Sequence, residues 1–298
     1  MNTVSTKTIL SSYIDDNQSN RWFGYKYKMN LYRGCSHGCI YCDSRSECYH
    51  VDDFDTVRVK EHALEILERE LKAKRKTGMV GIGAMSDSYN PMEKVCKVTR
   101  ESLKLLHEYG FGVGFSTKSD LVLRDLDILA EMKSQVPVTV QFTITAFEDQ
   151  LCKKVEPYVS VTSSRLSAME QLSSKGITTG VLMMPILPFL EDDVDNIINI
   201  VEASHQCGAQ YIYPGFGVTL RQNQRIHYLG KINELSPGLG EQYIKQYGTT
   251  YSCNSPRARE LWNVFRKECN RYGIAYRMQD IISIIRKGYE YEQLSLFP

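Results

Sequence analysis

Three cysteines near the N-terminus have the type and spacing of metal ligands. Cys35, Cys39 and Cys42 lie in RGCSHGCIYC, where the spacing is C-x3-C-x2-C. Three thiolates on one loop can bind three irons of a cubane cluster, which leaves the fourth iron without a protein ligand. Because an iron with a free coordination position can bind a reactant, the motif predicts a reaction site.

A structural zinc site is the alternative explanation of the same motif. Cys48, His37 or His50 could supply the fourth ligand that zinc needs. Structural zinc sites usually take their ligands from two separated pairs, and the sequence has no second pair of this kind. The spacing therefore favours an iron–sulfur cluster, with zinc as the alternative.

Composition and charge are those of an ordinary globular chain. Of the 298 residues, 42% are hydrophobic and 24% are charged, and no apolar run is long enough to cross a bilayer. The nine cysteines are an odd number in a chain whose N-terminus lacks the apolar run of an export signal. We therefore expect a cytoplasmic protein with free thiols and no contact with membranes.

The elements that must position the cysteines follow from the hydrophobic periodicity. Short apolar, β-branched runs alternate with amphipathic stretches, which is typical of βα units. Six strands are predicted, at residues 29–32, 79–86, 112–119, 138–145, 177–188 and 209–217. Helices are predicted between them, at residues 60–76, 99–109, 121–132, 163–174 and 192–207.

This alternation predicts an α/β fold, because parallel strands need crossover connections. A closed or partial (β/α)6 barrel suits the six units. In such a barrel the reactive groups lie at the carboxyl ends of the strands, and the cysteine motif directly follows the first strand. A doubly wound open sheet is the alternative, but no Gly-x-Gly-x-x-Gly turn follows that strand.

The alternation stops after residue 220. Helices are predicted at 222–235 and 255–271, and the residues from 221 onward carry 12 basic and 7 acidic side chains, a surplus of five positive charges. The predicted organisation is an N-terminal segment (1–24), the barrel (25–220), a helical C-terminal extension (221–287) and a flexible tail (288–298). The surplus could contact a polyanion such as DNA, or it could be a solvated helical surface.

With Tyr41 directly before the last cysteine, the motif resembles the signature of the radical S-adenosylmethionine superfamily. The resemblance implies a [4Fe-4S] cluster on the three cysteines, whose fourth iron binds the methionyl amine and carboxylate of S-adenosylmethionine. One electron, from a donor such as flavodoxin or ferredoxin, would release a 5′-deoxyadenosyl radical that abstracts a substrate hydrogen. The three cysteines are thus expected to be catalytic residues as well as metal ligands.

Four longer stretches resemble the spore photoproduct lyase family within that superfamily. They are SDSYNPMEK at 86–94, STKSDLVLRDLDIL at 116–129, EPYVSVTSSRLSAM at 156–169 and GVLMMPILP at 180–188. The resemblance implies a lyase-like radical enzyme in DNA or nucleic-acid repair. The alternatives are a radical enzyme acting on a peptide or small molecule, and a zinc-stabilised nucleic-acid-binding protein.

The same resemblance implies contacts to S-adenosylmethionine, carried over position by position. They fall on Tyr41 and Met184 beside the adenine, Ser86 at the end of the second strand, Thr143 toward the ribose and Lys118 toward the methionyl carboxylate. Arg165, at the start of a predicted helix, is an alternative partner for that carboxylate.

The sequence departs from the lyase family at one position. In that family a cysteine near the end of the second strand returns a hydrogen atom to the substrate, and Met85 stands in its place here. A thioether has no S–H to donate, so the departure argues against repair of the thymine dimer itself. Tyr89 is the nearest alternative donor, whereas Cys96 is expected to pack as a small apolar side chain.

A short motif lies at the C-terminal end of the sequence. Its residues, which resemble the peptide by which bacterial DNA polymerases and repair proteins bind the sliding clamp, are Gln293, Leu294, Ser295, Leu296 and Phe297. A flexible end can offer Leu and Phe to an apolar pocket, with Gln as a polar anchor, and become ordered only on contact. The alternative is an apolar tail that folds back onto its own domain.

Overall fold

The computed structural model describes residues 2–13 and 22–289, and its centre is a seven-stranded sheet with the order β10-β9-β8-β7-β6-β3-β2. In chain order, the strands are β1 (Thr3–Val4), β2 (Leu10–Ser12), β3 (Tyr27–Met29), β4 (Tyr32–Arg33), β5 (Arg58–Lys60), β6 (Met79–Ile82), β7 (Gly112–Thr117), β8 (Val138–Thr143), β9 (Thr178–Met183), β10 (Tyr211–Pro214), β11 (Gly217–Thr219) and β12 (Ser252–Asn254). Two smaller sheets have the orders β1-β5-β4 and β11-β12.

Helices connect the successive parallel strands of the central sheet, and four further helices of the described chain follow its last strand. They are α1 (Ala63–Lys72), α2 (Glu93–Cys96), α3 (Val98–Glu108), α4 (Leu126–Lys133), α5 (Asp149–Val155), α6 (Thr162–Ser174), α7 (Val194–Gln206), α8 (Gln222–Leu235), α9 (Leu239–Tyr247), α10 (Ala258–Tyr272) and α11 (Met278–Arg286). Short 3-10 helices lie at Asp43–Arg45, Glu47–Tyr49 and Asp120–Asp125. None of the helices in the described ranges combines the length and the apolar character that crossing a bilayer requires.

The strand order confirms the predicted α/β architecture. Strands β3, β6, β7, β8, β9 and β10 are parallel and adjacent in chain order. Strand β2 pairs antiparallel with β3 at one edge, and β10 forms the other edge. The described sheet is therefore open, and the molecule is a partial barrel in which helices carry the crossovers that parallel strands need.

The two faces of the sheet differ because successive residues of a strand point to opposite sides. One face buries Val80 and Val113 in the main hydrophobic core. The opposite face, the barrel lumen, carries Gly81 and Gly114, where an added Cβ would collide with the ring of Tyr25. Glycine at these two positions thus lets one aromatic ring lie across two neighbouring strands.

An aromatic layer fills the lumen near the amino ends of the strands. Tyr211 OH lies 2.7 Å from Thr139 Oγ1, and Gln141 Nε2 donates to Tyr25 OH over 3.2 Å. Helix α11 packs against the same layer. The opposite end of the lumen, at the carboxyl ends of the strands, is where the reactive loops are predicted.

The last described residues lie at the amino end of the sheet. Gly288 and Tyr289 line a surface cavity together with Met79 and Gly112, the first residues of β6 and β7. Tyr289 OH donates to Lys133 O at the C-terminal end of α4. The described chain therefore ends at the pole opposite to the carboxyl ends of the strands.

Three predicted elements differ from the structure. The segment 1–24 is not separate from the barrel, since it supplies β2 to the central sheet. The helix predicted at 121–132 is a 3-10 helix followed by α4. The extension after residue 220 is not purely helical, because β12 pairs with β11.

Candidate active site

A cavity of about 320 Å³ lies at the carboxyl ends of the central strands. The three cysteines of the C-x3-C-x2-C motif line it, and so do five predicted cofactor contacts: Tyr41, Ser86, Lys118, Thr143 and Met184. The other two predicted site residues, Tyr89 and Arg165, do not line it. Residues far apart in sequence thus converge on one site at the end of the barrel where catalytic groups are expected.

The cysteine loop begins at a position that needs glycine. Gly34 has a φ of +79°, and an added Cβ would collide with the carbonyl oxygen of Thr56. The chain turns here out of β4 into the loop that lines the cavity. In this loop Cys35 and Cys39 are buried, and Cys42 is partly exposed.

The three thiols differ in their electrostatic surroundings. Burial raises the pKa of Cys39 and of Cys42. Burial acts in the same direction on Cys35, but a hydrogen bond and positive charge from His37 outweigh it and lower the pKa of this thiol. Cys35 is therefore the thiol of the three that ionises most readily.

A carboxylate raises the pKa of His37. His37 Nδ1 lies 3.5 Å from Asp87 Oδ2. Burial lowers the pKa of the imidazole, but the carboxylate of Asp87 and the thiol of Cys35 outweigh burial, so that the net shift is upward. Asp87 is itself fixed by Thr117 Oγ1 and by Lys118 N, which donate to it over 2.9 and 2.8 Å. The second and third βα loops thus favour the protonated form of the imidazole next to the first cysteine.

The placement of the thiols suits a polynuclear cluster. Among residues 2–13 and 22–289, no three His, Cys, Asp or Glu side chains are grouped closely enough to bind one metal ion. In an iron–sulfur cubane each cysteine binds a different iron, so its thiols line one cavity without meeting at one point. Cys48, which could complete a zinc site, is exposed and does not line the cavity. Three thiols on one cavity wall fit a [4Fe-4S] cluster.

Lys118 places a positive charge in the cavity. It directly follows β7, and its Nζ lies 5.8 Å from the centre of the Tyr41 ring. Burial lowers the pKa of Lys118, but the negative charges of Cys39 and Glu156 outweigh burial and raise it. No carboxylate of the described chain lies within 4.0 Å of this ammonium. It can therefore bind a carboxylate of a ligand.

Arg165 does not fit the predicted contact to a cofactor. The side chain is fully buried, and its guanidinium donates to Glu156 Oε2 over 2.5 Å. It also donates to the carbonyl oxygens of Thr143 (2.6 Å) and Ser160 (2.7 Å). Glu156 in turn accepts a hydrogen bond from Tyr41 OH. Arg165 acts on the cavity through these neighbours and is a positioning residue.

The remaining predicted contacts lie at strand ends. Ser86 follows β6, and its Oγ donates to Gly34 O over 2.6 Å, which ties the second βα loop to the cysteine loop. Thr143 is the last residue of β8, and Met184 directly follows β9. All three residues line the cavity from different strands.

Tyr89 is not placed to donate a hydrogen atom in the cavity. It is buried in the main core, with its ring centre 5.5 Å from that of Phe115. Cys96 packs against the same core. Met85 does line the cavity, so that a thioether stands in its wall. The predicted alternative donor, Tyr89, therefore does not lie at the cavity wall, and Cys96 packs as expected.

A network of ion pairs and hydrogen bonds outside the cavity joins the second and third βα loops. Glu93 is buried, and its carboxylate accepts hydrogen bonds from Thr99 N over 2.9 Å and from Arg124 Nη2 over 2.6 Å. Asp125 is also buried and pairs with Arg124 and Arg100. These five residues do not line the cavity. Their contribution is to fix the second and third βα loops.

A second group of positioning residues, at the start of α8, is missed by the sequence analysis. Four consecutive side chains bind the segment 41–48, which continues the cysteine loop: Arg221, Gln222, Asn223 and Gln224. We call them the α8 clamp. Arg221 Nη2 donates to Asp43 Oδ2 over 2.8 Å, and the buried Gln224 donates from Nε2 to Tyr41 O over 3.2 Å. The polar run RQNQ is visible in the sequence, but its partners lie up to 183 residues away.

Comparisons with known sequences find one matching family model and several relatives. The family model of the radical SAM superfamily matches residues 29–201. An uncharacterized protein of Methanocaldococcus jannaschii is 36% identical over 172 residues, which cover 57% of this chain and 63% of that protein. An uncharacterized protein of Mycobacterium tuberculosis is 29% identical over 232 residues, which cover 75% of this chain and 67% of that protein.

Several solved structures have a similar fold. A spore photoproduct lyase mutant gives a TM-score of 0.66 at 15% identity, over 90% of this chain and 78% of that one. Spore photoproduct lyase complexed with dinucleoside spore photoproduct gives 0.63 at 16% identity, over 83% and 74%. A radical S-adenosylmethionine methyltransferase from Kitasatospora setae gives 0.55 at 11% identity, over 88% and 55%. At these identities the likeness concerns the fold.

Proposed function

The chain belongs to the radical S-adenosylmethionine superfamily, and from this premise we propose that it cleaves S-adenosylmethionine reductively and acts on a nucleic acid. Family membership gives it a [4Fe-4S] cluster and S-adenosylmethionine as cofactors. When bound, they supply a 5′-deoxyadenosyl radical that abstracts a hydrogen atom from a substrate. The observation that carries the proposal is the cavity in which three thiols and one unpaired ammonium of the described chain converge.

Each residue of the cavity takes a role that follows from its chemistry. The three cysteines hold the cluster, since thiolates are the ligands that such clusters need. Lys118 binds the methionyl carboxylate, because its ammonium lies in the cavity without a carboxylate partner in the described chain. Tyr41, in the same cavity wall, takes the place beside the adenine that the family resemblance implies. Thr143 and Met184 contact the adenosyl group from the ends of β8 and β9. Ser86 and the α8 clamp hold the loop that carries the cysteines.

A nucleic acid is the proposed substrate for two reasons. One structure of similar fold contains a dinucleoside photoproduct, and the residues from 221 onward carry a surplus of five positive charges. We propose a lyase-like reaction, in a repair context, that does not take its hydrogen atom from a thiol at position 85. Met85 lines the cavity, and its thioether has no hydrogen to donate.

The test of the enzyme class is made on protein purified without oxygen. We expect about four irons per chain and, after reduction, formation of 5′-deoxyadenosine from S-adenosylmethionine. Replacing Cys35, Cys39 or Cys42 with alanine should abolish both. Cys48→Ala is the matched control, because that thiol is exposed and outside the cavity. Bound zinc without formation of 5′-deoxyadenosine would contradict the proposal.

The proposed partners are an electron donor and a sliding clamp. The electron is supplied by a protein such as flavodoxin or ferredoxin. The clamp motif at residues 293–297 lies outside the described residues and stays a prediction, as does the cytoplasmic location. Deleting residues 293–298 should abolish co-elution with a bacterial sliding clamp, and unchanged co-elution would contradict this part of the proposal.

A further inference from the structure

Both tryptophans of the chain are exposed at one edge of the central sheet. Trp22 is 41% exposed and Trp262 is 37% exposed. The ring centre of Trp22 lies 5.6 Å from that of Tyr213, and the ring centre of Trp262 lies 6.4 Å from that of Phe216. Tyr213 belongs to β10, and Phe216 lies two residues after its end. We call these four residues the aromatic rim.

The aromatic rim is continuous with the wall of the active cavity. Gly217 and Thr219, which directly follow it in the chain, line the cavity. Strand β10 is the last strand at this side of the central sheet, and outside it Ala275 forms an isolated parallel bridge with Tyr211. Trp22 lines a neighbouring cavity together with Ala84 and Ser116, which also line the active cavity. A ligand on the rim therefore lies next to the active cavity.

Helix α10, which carries Trp262 of the rim, also carries two arginines without an ion-pair partner in the described chain. Arg259 and Arg266 stand three residues before and four residues after Trp262, so the three side chains share one helix face. Both arginines are exposed, and neither forms an ion pair with another described residue. The two glutamates of α10 are each paired with a different arginine. The free charge on this face is positive.

Exposed aromatic rings next to unpaired cations are the features by which proteins bind single-stranded nucleic acid. Bases stack on the rings, and the cations contact the phosphates, without a requirement for sequence. We propose that the aromatic rim, with Arg259 and Arg266, binds a single-stranded or locally unpaired nucleic-acid strand and holds one nucleotide beside the active cavity. This inference rests on the proposed function, which it extends by locating the substrate.

The chain provides its own reporter for this contact. Its two tryptophans both belong to the rim, so a base stacked there should quench the intrinsic fluorescence. We would titrate the anaerobic holoenzyme with an oligothymidylate of about 12 nucleotides, a length within the site sizes of single-strand binders. The duplex of the same length and inorganic polyphosphate are the comparison ligands. We expect quenching by the single strand, weaker binding of the duplex, and no quenching by polyphosphate.

Charge reversal tests the basic face separately. Arg259→Glu with Arg266→Glu should weaken oligothymidylate binding at about 0.1 M salt by tenfold or more, and should reduce the slope of log affinity against log salt by about two. Arg69→Glu with Arg75→Glu is the matched control. It makes the same charge change at exposed positions in and just after α1, which packs against β2 at the other edge of the sheet. An unchanged thermal midpoint in both variants verifies the fold.

Three outcomes would overturn the inference. They are binding without quenching, equal affinity for the duplex, and equal loss of affinity in the control variant. Formation of 5′-deoxyadenosine without oligonucleotide separates this test from that of the proposed function. If the holoenzyme forms the product but does not bind the single strand, the rim proposal alone fails. If it forms no product under any condition, the proposed function fails whatever the rim binds.

Discussion

The stability of the protein should depend on the ionisation of Glu191. This carboxyl group is buried without an ion-pair partner in the described structure. Its oxygens accept hydrogen bonds from Thr145 Oγ1 and from Leu187 N, each over 2.9 Å. Burial raises the pKa of Glu191 to about 8, from its ordinary value of 4.5. The folded protein therefore holds a neutral carboxyl at pH values where the unfolded chain is ionised.

The sign of the effect on stability follows from the raised pKa. The contribution of Glu191 to stability is fully present below the unfolded value of 4.5 and is lost as the pH rises through the folded value of about 8. Linkage converts the shift into a loss of about 2.5 kcal/mol in the free energy of unfolding between about pH 5.5 and pH 7.5. Glu191→Gln removes the titration, because an amide keeps the size and neutral state of the protonated acid.

The assay is urea unfolding of the reduced, metal-free chain at both pH values, followed by circular dichroism. We expect the free energy of unfolding of Glu191→Gln, measured relative to the native chain, to rise by about 2.5 kcal/mol from the lower to the higher pH. Glu170→Gln, on the exposed face of α6, removes a surface carboxyl as the control. Parallel stabilities of the native chain and Glu191→Gln at both pH values would refute the reasoning.

Three further substitutions probe the residues around the cavity. Lys118→Gln should weaken binding of S-adenosylmethionine by about tenfold to a hundredfold, because it removes a charged hydrogen-bond donor, while the iron content measured in the same sample stays unchanged. Arg165→Met should destabilise the fold by about 3 to 5 kcal/mol, because it leaves Glu156 charged and buried. Chemical unfolding measures this, and adding Glu156→Gln should restore part of the loss. Gln224→Leu should speed the loss of iron to a chelator, because it cuts the hydrogen bond to Tyr41 O, whereas Gln242→Leu, at an exposed position of α9, should not.

The elements that a local pattern can specify are those that the sequence predicts best. Helix α8 begins and ends at the predicted residues, 222 and 235. The local sequence is enough to predict both ends of this helix. The order of the parallel strands follows from the alternation of strands and helices and from crossover geometry. Strands β11 and β12 have three residues each and pair with one another across α8 and α9. A three-residue run has too little periodicity to be recognised, so this pair could not be predicted.

The site residues also differ in how far the local sequence predicts their roles. The spacing of the cysteines is local, and the residues at strand ends reach the cavity because the barrel brings those ends together. The role of Arg165 depends on Glu156, whose position is fixed by folding and not by spacing. An arginine at the start of a helix has the same local sequence whether it is exposed or fully buried. Its partner decides between the two, and that partner is visible only in three dimensions.

The reaction site and the last described residues lie at opposite ends of the barrel. The cavity lies at the carboxyl ends of the strands, and Tyr289 lies beside the first residues of β6 and β7 at the amino end. Any chain that continues from Tyr289 therefore starts at the end of the barrel opposite to the cavity. A partner protein that binds this continuation can tether the enzyme without obstructing the reaction site. Such a tether would raise the local concentration of the enzyme on its substrate while leaving each catalytic cycle unchanged.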